Sequence, residues 1–146
     1  MRRREFIKLI GGVTAAWPLA AHAQKPANVS RVGVLSPAAS ETAATMTAFR
    51  EKLRDLGYIE GKTIALDFRL SKGNMDALPA LAAELVRIPV NVIVTDSTNG
   101  MLAAFDATRT IPIVIGAASG DPVALGLAKS LSHPGGNVTG TAFWVA

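Results

Sequence analysis

The feature that most limits the fold of this chain is a change of hydrophobic period that recurs along it. Short Val- and Ile-rich runs alternate with segments whose apolar residues return at three- and four-residue steps. Arg31–Ser36, Thr63–Arg69, Asn91–Thr95, Ile111–Ile115 and Asn137–Val145 read as strands. Between the first two, Met46, Phe49, Leu53 and Leu56 mark a helix that Ser40 caps and Gly57 ends. A second helix runs from Asp76, its cap, to Arg87, with Pro79 in the first turn and Leu78, Leu81, Ala82 and Leu85 on one stripe. Pro89 forbids its continuation. Met101–Thr108 forms a third helix. A fourth opens at Asp121-Pro122, turns Ala124, Leu127, Ala128 and Leu131 inward, and ends at His133–Gly136.

Connections of this length favour parallel pairing, because a parallel strand pair needs a return crossover. Right-handed crossovers put helices on both faces. The expected fold is therefore α/β, a doubly wound flavodoxin-like parallel sheet of order 2-1-3-4-5, with its switch point between strands 1 and 3. Asn91–Thr95, apolar on both faces, belongs in the centre; Thr63–Arg69, partly alternating, belongs near an edge.

Composition removes several function classes. Cysteine is absent, which excludes disulfides, thiolate metal sites and cysteine nucleophiles. The only two histidines, His22 and His133, are far apart, so no His-built metal site is expected. The formal charge of +4 is a property of the N-terminus. Arg2, Arg3, Arg4 and Lys8 supply four of 15 basic residues there, beside Glu5; the remainder carries 11 basic against 10 acidic residues. Such a body has no basic stripe for a nucleic-acid backbone.

Residues 1–23 have the three parts of an export signal: a basic start, a short apolar middle broken by Gly11, Gly12 and Pro18, and small residues in Ala21-His22-Ala23. Arg3-Arg4-Glu5-Phe6-Ile7-Lys8 is of the twin-arginine type. Cleavage is expected after Ala23, giving a periplasmic protein that touches the membrane only through its signal. Residues 24–30 read as a flexible leader and 31–146 as one domain.

In an open doubly wound sheet, ligands gather at the carboxyl ends of the strands beside the switch point. That rule selects Ser36 and Ser40 after strand 1, Asp96, Ser97 and Thr98 after strand 3, and Ser119 and Asp121 after strand 4. Three helix N-termini are expected to converge there, offering unpaired N–H groups to a small polar solute. Capping alone accounts for any one of Ser40, Ser97, Thr98 and Asp121; the set at one border points to ligand contact. Asp96 has no His, Lys or second acid beside it in the sequence, as general-base catalysis would need. Gly116–Gly120 lacks the Lys-Ser/Thr of a phosphate loop, and Gly33 lies inside a strand, so neither nucleotide fingerprint is present and no cofactor is expected.

Several strings resemble one family. They are the twin-arginine start, Ala16–Ala20 (AWPLA), Gly57–Gly61 (GYIEG), Leu78–Ala82 (LPALA), Thr110–Val114 (TIPIV), Asp121–Val123 (DPV) and, most specific, His133–Gly140 (HPGGNVTG). This pattern is similar to that of ABC transporter substrate-binding proteins, periplasmic receptors with two flavodoxin-like lobes. The resemblance implies a non-enzymatic receptor that captures a small solute between lobes, with an amino acid among the candidates, and delivers it to a membrane permease. An exported sensory input domain, or a hydrolase-type enzyme using Asp96, are the alternatives. Members of the family are roughly twice this length, as two ordinary domains require, so the chain is expected to be the N-terminal lobe of a truncated receptor. Phe143 and Trp144 are expected to form an exposed apolar patch rather than to stack on a ligand.

Overall fold

Each Val- and Ile-rich run does become a strand. A computed structural model, which describes residues 29–141 and 143, contains β1 (Ser30–Ser36), α1 (Ala44–Asp55), β2 (Ile64–Leu70), α2 (Leu78–Arg87), β3 (Val92–Thr95), α3 (Thr98–Ala107), β4 (Ile113–Ile115) and β5 (Val138–Gly140). All neighbouring strands are parallel, in the order β2-β1-β3-β4-β5. The export signal and most of the leader lie outside the described residues, as do Ala142 and Trp144–Ala146. Ser30, expected in the leader, is the first residue of β1.

Register decides which side chains meet. Leu35 pairs with Thr95, Thr95 with Ile115, and Ile93 with Ile113, which pairs in turn with Val138. All six of these side chains are buried on one face, under Leu78, Ala82 and Leu85 of α2 and Met101 and Ala104 of α3. Burying each large aliphatic side chain contributes about 1.5–3 kcal/mol, so this face supplies most of the core. The opposite face is covered less fully. There α1 buries Met46 and leaves a cavity of about 330 Å³ against Val34 and Val94. β3 is central, as expected, but Val92 and Val94 on this side are only half-buried.

The helix starts correct the sequence reading in three places, the first being α3, which begins at Thr98 rather than Met101. Ser40 does not cap α1: its Oγ lies 2.9 Å from Thr42 Oγ1, and the capping position falls to Ala43, which makes no side-chain cap bond. Arg50 accounts for the late start. It donates to Glu41 O at 2.8 Å and Glu41 Oε2 at 2.8 Å, holding that segment out of the helix. Asp76 does not cap the second helix either. Asn74 accepts from Asp76 N at 3.1 Å and opens a 3₁₀ turn, Met75–Ala77, that leads into α2.

The fourth helix is absent. Asp121 Oδ1 accepts from Val123 N at 2.8 Å, and Leu125 N donates to Asp121 O at 3.0 Å, which makes one turn. Gly126 then takes φ +73°, which a helix cannot continue. Of the four residues expected inward, Leu127 is buried, Ala128 is half-buried, and Ala124 and Leu131 are exposed. The other expected stop is present as read. Gly57 at φ +87° ends α1, with Tyr58 N donating to Leu53 O at 2.8 Å and Gly57 N to Arg54 O at 2.9 Å.

Candidate functional site

Parallel strands deliver all their carboxyl ends to one edge, and the loops after β1, β3 and β4 form the polar part of it. Ser36 closes β1 with no exposed surface. Its Oγ donates to Asp96 Oδ2 at 3.0 Å and accepts from Ala38 N at 3.0 Å, tying the tails of β1 and β3 together. Asp96 Oδ1 is buried and has no partner among the described residues. An orphaned buried acceptor costs about 1–3 kcal/mol, and that cost is characteristic of functional positions.

Ser97 is the N-cap of α3. Its Oγ accepts from Gly100 N at 3.0 Å, and its carbonyl accepts from Met101 N at 2.9 Å. The N–H groups of Thr98 and Asn99 are the first two of α3 and have no carbonyl a turn earlier within the helix to receive them. They stand at the positive end of the helix dipole. Thr98 joins this tip to the loop after β4. Its Oγ1 donates to Ser119 O at 2.8 Å, accepts from Ser119 N at 3.1 Å and lies 3.2 Å from Ser119 Oγ.

Asp96, Ser97, Thr98, Ala117, Ala118, Ser119 and Phe143 line an open cleft of about 360 Å³. Four of the seven expected site residues therefore share one surface. Ser36 supports it from beneath through Asp96, whereas Ser40 and Asp121 spend their side chains on local turns and do not line the cleft. Of the three helix tips expected to converge, α3 alone builds the cleft: α1 begins late and the third tip is a single turn. Phe143, read as part of an exposed patch, is held at the cleft by its backbone. Its N donates to Ala118 O at 2.8 Å and its O accepts from Gly120 N at 3.3 Å. Phe143 falls in the run Asn137–Val145 expected to form the fifth strand; β5 spans Val138–Gly140, and Phe143 makes an isolated parallel bridge to Ser119.

The cleft lining contains one ionisable side chain, Asp96, and no Lys, Arg or His. Proton-transfer chemistry normally uses a second such group, so the lining suits binding better than turnover. Among the described residues no group of His, Asp or Glu could hold a metal ion, and no helix is long and apolar enough to cross a membrane.

A parallel sheet with helices on both faces and a polar cleft at its carboxyl edge has the architecture of one lobe of a periplasmic-type binding protein. The chain belongs to the ABC transporter substrate binding protein family, whose model matches residues 31–142. It is 39% identical over 98 residues to a tyrosine-binding protein of Clostridioides difficile (strain R20291), covering 67% of this chain and 28% of that one. Among solved structures it is similar to the ligand-free, open structure of CD0873, a substrate binding protein with adhesive properties from Clostridium difficile. There the TM-score is 0.72 at 36% identity, over 81% of this chain and 40% of that chain. It also resembles an ABC domain in complex with L-Trp from Streptococcus pneumonia, with TM-score 0.65 and 25% identity over 78% of this chain and 38% of that one. The chain thus spans well under half the length of these relatives.

Proposed function

We propose that this chain is the solute-capturing lobe of an ABC importer, that it works in the periplasm, and that its solute is a free amino acid. The observation that carries this reading is the adjacency of opposite preferences at one point of the cleft. The unpaired N–H groups of Thr98 and Asn99 favour a carboxylate, and Asp96, two residues before Thr98, favours an ammonium. A ligand carrying both charges on one carbon satisfies both. Ser97, Thr98 and Ser119 bring only small side chains, so the ligand backbone can approach closely. The relatives named for tyrosine and crystallised with L-Trp support an amino-acid ligand, and the description of the family and of CD0873 as substrate binding proteins supports a non-enzymatic role.

Delivery to a membrane permease and periplasmic residence rest on the family and on the twin-arginine signal at residues 1–23. The binding claim is tested by titrating the chain with the twenty L-amino acids and following its melting temperature. A ligand at 100 times its dissociation constant adds about 2.7 kcal/mol of stability. An upward shift with a subset of amino acids is the expected result; no shift with any of them at millimolar concentration contradicts the reading.

A further inference from the structure

We propose that the loop before β5 and the residues after α3 form an anion site for a phosphoryl group, separate from the cleft and at the opposite edge of the sheet. The HPGGN string builds the loop. Asn137 Nδ2 donates to Ile111 O at 2.8 Å and to Thr108 O at 3.2 Å, which fixes the loop against the end of α3. It also covers the carbonyl of the α3 C-cap, at the negative end of that helix. Gly135 takes φ +67°, a left-handed turn that glycine adopts without strain. The stem of Lys129 lies against this turn: a Cβ on Gly135 would come within 3.0 Å of Lys129 Cδ. Lys129 N donates to Pro134 O at 2.9 Å, so backbone and side chain are both set beside the glycines.

These residues, with Phe105 and Arg109, line a cavity of about 280 Å³. Its lining holds the cations Arg109 and Lys129 and, among the described residues, no carboxylate. The Arg109 guanidinium lies 3.7 Å from the centroid of the Phe105 ring. Stacking fixes the plane of the fork and leaves its edge N–H groups free for an oxyanion. Asp106, the carboxylate beside Arg109, is 3.8 Å away and 81% exposed, a weak and hydrated partner. Among the described residues, Lys129 has no ion pair, and the N–H groups of Gly135, Gly136 and Asn137 have no acceptor. Successive N–H groups around a left-handed residue form a nest that holds anions. Water satisfies any one of these donors; a fork, a point charge and a nest around one hollow suit the several oxygens of a phosphoryl group.

The test titrates the full chain with inorganic phosphate and with monomeric short-chain phosphatidylglycerol, following backbone amide shifts. Saturable changes are expected at Gly135, Gly136 and Asn137, with Ser97, Thr98 and Ser119 unmoved. Arg109→Gln and Lys129→Gln should each weaken binding about 10-fold. Lys52→Gln, an equal loss of charge on α1, should leave it unchanged. All three side chains are exposed, so each variant should melt with the wild type, and this is measured in parallel. Binding of phosphate without the lipid identifies a free anion, and binding of the lipid identifies a headgroup; either result supports the site. If neither probe moves the loop amides, or if binding survives both substitutions combined, the assignment is wrong, and the amino-acid reading of the cleft is unaffected.

Discussion

Gly100 occupies the third position of α3, where alanine would ordinarily be the better helix former by about 0.8–1.0 kcal/mol. The structure reverses that preference. A Cβ on Gly100 would overlap Thr95 Oγ1 and come within 2.9 Å of Ser97 Oγ. Thr95 is 1% exposed on the core face and stiff at χ1, so it has nowhere to swing. Overpacking of this kind costs about 1–3 kcal/mol, and displacing Ser97 forfeits a cap worth about 1 kcal/mol. Set against the gain in propensity, Gly100→Ala should destabilise by about 1–3 kcal/mol, a fall in melting temperature of about 5–15 °C. Urea unfolding gives the free energy, and amide exchange at Gly100 and Met101 shows whether the first turn of α3 has loosened. Adding Thr95→Ala should recover part of the loss, with a favourable coupling of about 0.5–3 kcal/mol between the two sites. A Gly100→Ala chain as stable as wild type, with unchanged exchange at those amides, would refute the claim that close packing sets the tip of α3.

Thr98→Val removes the hydroxyl that links the α3 tip to Ser119; ligand affinity in calorimetry should fall about 10-fold while stability falls by no more than about 1–2 kcal/mol. At Gly140, with φ +131°, a Cβ would strike the backbone of Ile115, including its N at 2.6 Å, so Gly140→Ala should lose more than about 3 kcal/mol or fail to express as folded protein. Arg50→Met should cost about 0.5–1.5 kcal/mol, reduced further by salt, because its partners Glu41 and Glu60 are about half exposed. Hydrogen bonding to Glu41 raises the pKa of Arg50, so the guanidinium keeps its charge up to strong alkali and does not limit the ion pairs near neutral pH. The cost of Arg50→Met arising from this charge should therefore be flat between about pH 7 and 10.

Topology was legible in the sequence because it follows from long-range bookkeeping of periods: five apolar runs separated by crossover-length segments leave few parallel arrangements. The observed order is one of those few, and the central and edge positions of β3 and β2 follow from their polarity patterns. Helix starts were less legible, because the signals that set them are shared with turns. Asp121-Pro122 opens a single turn here as readily as a helix, and Gly126 three residues past Val123 decides between them. Ser40 has the right side chain for a cap, but Arg50, ten residues later and folded back across the loop, decides where α1 begins. At the cleft, Asp96, Ser97, Thr98 and Ser119 could be named because the sheet edge itself selects them. Phe143 is expected in the fifth strand, but its place at the cleft depends on a bridge to Ser119, beyond the end of the expected fourth strand.

Backbone amide chemical shifts report the binding surface residue by residue. On titration with L-tryptophan, the largest changes are expected at Ser97, Thr98 and Asn99 and at Ala118 and Ser119, with α2 and the β2 edge unaffected. Changes confined to the opposite end of the sheet, around Leu56–Glu60, would contradict a solute site at the carboxyl edge.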